Sequence, residues 1–280
     1  LSTDHLRAFT RDPVTFTRIA AVHAMGDIWA MGAQPQAALS TVILPHMAAD
    51  MAAATLADIS ETAVATFAVE GAEVVGGHSS YGDALTIGFA VTGICDGPPR
   101  TLAGGQAGDA LVLTRPIGSG VVLAGAMRLR VKGPDLAATL ATMGQSQGAA
   151  ARILAPAARA MTDVTGFGLA GHVLSLCRAS HCGATLMLDA MPTYPGALGL
   201  ATSGLRSSLW PANRQAVGGD ITVQAAPRAD LLFDPQTAGG LLAAVPANAV
   251  EDLLAALRDA GTIAGQVGHL TEGPPHITVV

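Results

Sequence analysis

At 280 residues the chain is long enough for one or two α/β domains. Only 13% of its residues are charged and 50% are apolar, so much surface must be buried and self-association is a natural outlet. A net charge of −6, a single lysine (Lys132) and scattered arginines exclude a nucleic-acid footprint, and every apolar run breaks before membrane-spanning length.

Ser2 to Phe9 reads as a short strand carrying Asp4, and Asp12-Pro13 is a helix-start signal. From Val14 to Met31 the apolar residues share one helical face, with His23 and Asp27 one turn apart on it. Such a pair is either a satisfied core hydrogen bond or part of a metal site. Gln36 to Leu44 is strand-like, Ala48 to Val69 is an alanine-rich helix, and Ala72 to Val75 is a short strand. That strand runs into an expected glycine turn, Gly76-Gly77-His78-Ser79-Ser80, which is either a plain connection or a set of donors for a ligand. Leu85 to Ile94 alternates as a strand. The Pro- and Gly-rich run from Pro98 to Gly108 marks an expected boundary between a domain over 1–100 and a second over 106–280.

In the second half, Asp109 to Thr114 is a strand, and Pro116 to Gly120 turns into a helix reaching about Arg130. That turn is read as a tight strand–helix connection in preference to an anion site. Pro134 to Met143 and Gln147 to Ala160 are predicted helices, and Tyr194 to Gly219 is irregular with short helical pieces. Leu231 to Gly240 enters a strand over Leu241 to Val245, followed by a helix over Ala247 to Ala260 and strands over Ala264 to Leu270 and His276 to Val280. Strands and helices alternate throughout, which predicts an α/β protein (α+β type) with two layered sheets. Cys95, Cys177 and Cys182 have no disulfide or metal spacing, as expected of a reducing cytoplasm.

The richest stretch is Thr162-Asp163-Val164-Thr165-Gly166-Phe167-Gly168-Leu169-Ala170-Gly171-His172, which opens a helix from Leu169 to Arg178. Glycines and a helix N-terminus suit a phosphate, whereas Asp163 repels it by roughly 4 kcal/mol at about 4 Å in a dielectric of about 20. A divalent cation between them turns that repulsion into attraction, so one reading is a Mg–phosphate site. A simple helix cap is another. A third is a dinucleotide fingerprint, because Gly166, Gly168 and Gly171 fit G-x-G-x-x-G and Asp189 follows at the expected distance. The helical reading of Ala149 to Met161 speaks against that one, since the fingerprint needs an incoming strand.

Several stretches together resemble the selenophosphate synthetase (selenide, water dikinase) family, within the aminoimidazole-ribotide-synthetase-like ATP-binding proteins. They are Thr3-Asp4, Asp12-Pro13, Ala24-Met25-Gly26-Asp27-Ile28, Gly76-Gly77-His78-Ser79, Gly108 to Gly118, Thr162 to Leu169, and Asp234-Pro235-Gln236-Thr237-Ala238-Gly239-Gly240-Leu241. They span nearly the whole chain in family order. The resemblance implies two domains, with a homodimer formed through the N-terminal ones into a shared sheet. It implies synthesis of selenophosphate, AMP and phosphate from ATP, selenide and water, with ATP and Mg2+ as cofactors. Asp27 and Asp163 would be metal ligands, Asp4 would lie beside the nucleotide, and Gly76, Gly77, His78 and Ser79 would contact nucleotide, that of the partner subunit.

The chain departs from the family in places. The family's N-terminal loop with a reactive Cys or selenocysteine and a lysine has no counterpart here, so no catalytic residue is assigned. His23 stands where asparagine is usual, and Ser80-Tyr81-Gly82-Asp83 replaces an acidic, proline-containing loop. The chain starts at Leu1 and reads as entered mid-protein, so the expectation is nucleotide binding without selenophosphate formation by this chain alone. Two alternatives stay open: a superfamily member acting on a ribotide or thiamin phosphate, and a non-catalytic nucleotide-binding dimerisation module.

Overall fold

The computed structural model describes residues 1–280. The first part runs β1 (Ser2–Arg7), α1 (Pro13–Ala30), β2 (Gln34–Pro45), α2 (Ala49–Ala68), β3 (Glu73–Gly82) and β4 (Thr86–Ile94). The second continues β5 (Ala110–Leu113), α3 (Ser119–Met127), α4 (Gly133–Met143), α5 (Gly148–Leu154), β6 (Ala160–Asp163), α6 (Gly168–Ser180) and β7 (Gly183–Leu186). It closes with α7 (Ala197–Thr202), α8 (Trp210–Val217), β8 (Ile221–Thr222), α9 (Pro227–Asp230), β9 (Leu241–Val245), α10 (Val250–Asp259), β10 (Gly265–Thr271) and β11 (Ile277–Val279). Two sheets result, as the alternation predicts: a four-stranded one ordered β1-β4-β2-β3 and a seven-stranded one ordered β6-β9-β5-β10-β7-β11-β8.

Helix α1 starts where the sequence says it should. The Asp12 carboxylate accepts from the Val14 and Thr15 N–H groups at 3.1 and 3.2 Å, and Pro13 fills the first helical position. Little of this helix reaches solvent. It packs on α2, β1 and β4 on one side and on β6, β9, α4 and α5 on the other, so it is the partition between the two parts. Phe16 and Trp29 on α1, Phe67 on α2 and Phe89 on β4 are fully buried, within one apolar core that continues into the second sheet. Deleting any of these rings would remove about 3–5 kcal/mol.

The first sheet has one face under α1 and α2 and the other open. On β2, inward Ala38, Val42 and Leu44 alternate with outward Leu39 and Thr41. On β1, Ser2, Asp4 and Leu6 are half-buried while Thr3, His5 and Arg7 are exposed.

Two expectations are overturned. Gly76 to Ser80 is no turn: it lies inside β3, paired in parallel with Leu39 to Ile43 of β2. The glycine at 77 answers a close approach, since a Cβ there would lie 2.3 Å from the Ser40 carbonyl oxygen. The helix expected over Gln147 to Ala160 stops at Leu154 ahead of Pro156, and Ala160 to Asp163 is a strand. Antiparallel pairing with β9 at a buried site decides the matter, because alanine and methionine resist neither conformation strongly. A strand therefore does enter the Asp163 turn, yet the dinucleotide reading still fails. In a dinucleotide fold β6, α6 and β7 would form a parallel unit, whereas three strands separate β6 from β7 here.

Candidate functional site

The site forms where the partition helix meets the edge of the second sheet. Asp163 ends β6, is 7% exposed and points at α1. Gly26 is what admits it: a Cβ at 26 would lie 2.7 Å from Asp163 Oδ2. A glycine inside a helix costs about 1 kcal/mol relative to alanine, so this one trades helix stability for the approach of a carboxylate. Asp27, the next residue on α1, is exposed and its charge acts on Asp163; its Oδ2 accepts from the Ser2 hydroxyl on β1. Asp4, on the same inward face of β1, adds a third carboxylate.

No lysine or arginine side chain acts on Asp4 or Asp163. Burial, reinforced by Asp27 and then Asp4, pushes the Asp163 carboxyl up to about 8. Burial also raises Asp4, despite His23 beside it. The two nearby imidazoles are held neutral: burial pushes His172 down to about 4 and lowers His23. His172 Nε2 accepts the Thr165 N–H at 3.0 Å, which puts its proton on Nδ1. His23 does not pair with Asp27 as the helical spacing allowed. Its Nδ1 accepts the Ala238 N–H at 3.2 Å across the two parts, and its Nε2 lies 3.9 Å from Asp4 Oδ1.

Hard oxygen ligands without a compensating cation fit Mg2+. No three ligand-type side chains converge closely enough to hold an ion by themselves. Mg2+ is commonly held by one or two carboxylates, with waters and substrate phosphates completing its shell. The residue types present fit a Mg–phosphate group, for which Asp163 and Asp27 would be the protein ligands.

The turn after Asp163 is fixed by the Asp234 to Gly240 segment. Val164 N–H donates to the Gly240 carbonyl at 2.8 Å and Gln236 N–H to the Thr165 carbonyl at 3.0 Å. Asn213 Nδ2 ties the Gly166 and Phe233 carbonyls together at 2.8 and 3.0 Å. Gly239 must lack a side chain, since its Cβ would sit 1.8 Å from the Val164 carbonyl oxygen. The same segment caps α3: Asp234 Oδ2 accepts Val121 N–H at 2.9 Å, and Gln236 Oε1 accepts Gly118 and Ser119 N–H at 3.0 and 3.1 Å. The Pro116 to Gly120 turn thus has its donors satisfied internally, in keeping with its reading as a plain connection.

Gly76, Gly77, His78 and Ser79 are not brought to the carboxylates. β3 and β1 are opposite edges of the first sheet, three strand spacings or roughly 14 Å apart. Gly77, His78 and Ser79 border a cleft of about 230 Å³ against α2, away from the carboxylates. No cysteine contributes to the electrostatics of Asp4 or Asp163, and burial drives the Cys177 thiol up to about 12, an unreactive state. Gly26 and His172 stand within the motifs above without a role assigned to them, and Asn213 lies outside every motif. The lone glycine inside a helical pattern was the readable signal for the first.

Two family models match the chain: the N-terminal domain of AIR synthase related proteins over residues 1–95 and their C-terminal domain over 106–280. The selenide, water dikinase of Nitratidesulfovibrio vulgaris (strain DP4) is 35% identical over 277 residues, 96% of this chain and 78% of its own length. That of Pelobacter propionicus is 37% identical over the same shares. That of Burkholderia pseudomallei is 35% identical over 99% of this chain and 80% of its own. Among solved structures, thiamine-monophosphate kinase from Stenotrophomonas maltophilia superposes with a TM-score of 0.77 at 16% identity, covering 99% of this chain and 84% of that one. E. coli HypE gives 0.73 at 21%, covering 99% and 80%. These two share the fold. The sequence relatives go further, and the chain belongs to the selenide, water dikinase family of kinase-type enzymes.

Proposed function

We propose that this chain is the Mg2+- and ATP-binding part of selenophosphate synthesis, in which ATP, selenide and water give selenophosphate, AMP and phosphate. The observation that carries this reading is the Asp163 carboxyl group buried against Gly26 beside Asp27, with no lysine or arginine acting on it. Asp163 and Asp27 would hold Mg2+, and Asp4 would lie beside the nucleotide. When bound, the ion neutralises charge on the phosphates and on the group in transfer. The chain's own part is positioning. His172 and the Asp234 to Gly240 segment fix the backbone on which Asp163 stands, and Gly26 sets its depth. A structural neighbour, the thiamin monophosphate kinase AaThiL, was solved with AMPPCP and TMP, which supports a nucleotide site in this fold.

The working unit in this reading is a homodimer in the cytoplasm, with residues 1–100 binding ATP and dimerising and 106–280 completing the site. The uncovered face of the first sheet supports it, with Leu39 on β2 51% exposed beside the unpaired edge strand β3 and Ile94 at the end of β4 52% exposed. Gly76, Gly77, His78 and Ser79 of a second copy would then reach the nucleotide that they cannot reach within one chain. No helix is long and apolar enough to cross a membrane. Calorimetric titration with a non-hydrolysable ATP analogue tests the reading. Wild type is expected to bind only with Mg2+, and Asp163→Ala to lose at least about a hundredfold in affinity, nearly 3 kcal/mol. Mg2+-independent binding, or an unchanged Asp163→Ala affinity, overturns it.

A further inference from the structure

Arg115 follows β5 and is 3% exposed, yet none of the chain's six side-chain ion pairs involves it. Its Nη1 donates to the Ala238 carbonyl and its Nη2 to the Gln145 carbonyl at 2.7 Å. A guanidinium has five N–H donors, so three remain without a partner in the chain. The one titratable group acting on it is the Tyr194 hydroxyl, itself buried and without a hydrogen bond. Buried charges in proteins are as a rule paired, and this one is not.

Arg115 borders a cavity of about 290 Å³, open to solvent and bounded by the α4–α5 loop, the start of α5 and the α10–β10 loop. No acidic residue lines it. The Gln145 amide and the Thr262 hydroxyl, both on its wall, make no hydrogen bond elsewhere in the chain. Polar side chains from two further segments, Gln145 exposed and Thr262 half-buried, therefore border the same space as a desolvated cation without a counter-ion. None of Asp4, Asp27 and Asp163 lines this cavity, so it is separate from the carboxylate site.

We propose that this cavity is a binding site for a small oxyanion of the phosphate class, held by Arg115 with Gln145 and Thr262 as further donors. Phosphate offers acceptor oxygens in several directions, which matches donors converging from three segments better than a planar carboxylate does. The assignment does not depend on the selenophosphate reading, because the site uses neither Mg2+ nor nucleotide.

The test is calorimetric titration of inorganic phosphate, with acetate in parallel, into the Mg2+-free and nucleotide-free chain in chloride buffer. Wild type is expected to bind one phosphate saturably and acetate at least about tenfold more weakly. Arg115→Gln should abolish the saturable signal, Thr262→Val and Gln145→Ala should each weaken it several-fold, and Asp163→Asn should leave it unchanged. If Arg115→Gln does not fold, the Thr262→Val and Gln145→Ala pair decides. The proposal fails if folded wild type shows no saturable phosphate binding, or if acetate binds as tightly. It fails equally if both wall variants bind like wild type, or if Asp163→Asn removes the signal.

Discussion

The Gly76 to Ser79 stretch of β3 and the Asp163 to Gly168 turn both use glycine to let backbone approach a neighbour, but their surroundings are opposite. The first runs along an exposed sheet edge with one strand beside it. The second, apart from Gly166 and the exposed Phe167, is enclosed by the Asp234 to Gly240 segment, α6 and the partition helix. An edge can yield to a new side chain by shifting, whereas an enclosed turn must break contacts on several sides at once. Sensitivity to substitution should therefore follow enclosure, not glycine content.

The largest effect is expected at Gly239. Its Cβ would meet the Val164 carbonyl oxygen at 1.8 Å and the Gln236 Cβ at 2.9 Å, neither free to move. Gly239→Ala should destabilise by more than about 4 kcal/mol in urea unfolding, the range of disrupted buried networks. A loss below about 1 kcal/mol would show that the turn is not enclosed as described.

Next comes Asp163, whose folded carboxyl is pushed up to about 8 from 3.8. The folded state holds this proton more tightly than the unfolded one, so the associated stability is present below about pH 4 and is lost as pH rises through 8. At pH 7 the folded carboxyl keeps its proton while the unfolded one is ionised, and that difference is a latent destabilisation on the order of 4 kcal/mol without metal. Melting in EDTA should thus show Asp163→Asn more stable than wild type at pH 8 and level with it near pH 4. Added Mg2+ should close the gap at pH 8 by binding the ionised form of wild type. A wild type that outlasts the variant in EDTA at pH 8 contradicts the uncompensated carboxylate.

His172 tests the enclosure more gently. Its ring accepts one backbone N–H, so His172→Ala should remove about 1–2 kcal/mol, and His172→Gln, which keeps an acceptor, less. Because the folded ring is held near 4, against 6.5 for a free histidine, its contribution is lost as pH falls from about 6.5 towards 4. His172→Gln should flatten that acid limb in melts between pH 7 and 4.5. An acid limb as steep in the variant as in wild type would mean that another group causes it.

The same contrast explains what was legible in the sequence. Most of the element order was, because Asp12-Pro13 marks the start of α1, the Pro- and Gly-rich run from Pro98 to Gly108 divides the chain, and β4 alternates. The carboxylates Asp4, Asp27 and Asp163 were legible by residue type, and the fold brings them together from β1, α1 and β6. Missed were features set by partners distant in sequence. The pairing that makes β6 a strand is with β9, and the pairing that keeps Gly76 to Ser80 extended is with β2. Gly26 and His172 likewise act on Asp163 and Thr165, which no local pattern connects to them.

The smallest expected effect falls on the open edge, where two adjacent glycines separate enclosure from composition. A Cβ at Gly76 would meet only the Leu39 Cδ2 at 3.3 Å, the far end of a flexible side chain. Gly76→Ala should therefore lie within about 0.5 kcal/mol of wild type. At Gly77 the Cβ would strike the Ser40 carbonyl oxygen and hydroxyl, both at 2.3 Å, but β3 has no strand on its other side and can move outward. Gly77→Ala should lose about 1–2 kcal/mol, well short of Gly239→Ala despite a backbone clash of similar kind. If the dimer proposed above covers this edge, the Gly77→Ala loss should grow with protein concentration, since the displaced strand would then also weaken association. Equal losses at Gly77 and Gly239, measured where the chain is monomeric, would mean that the edge is as rigid as the interior.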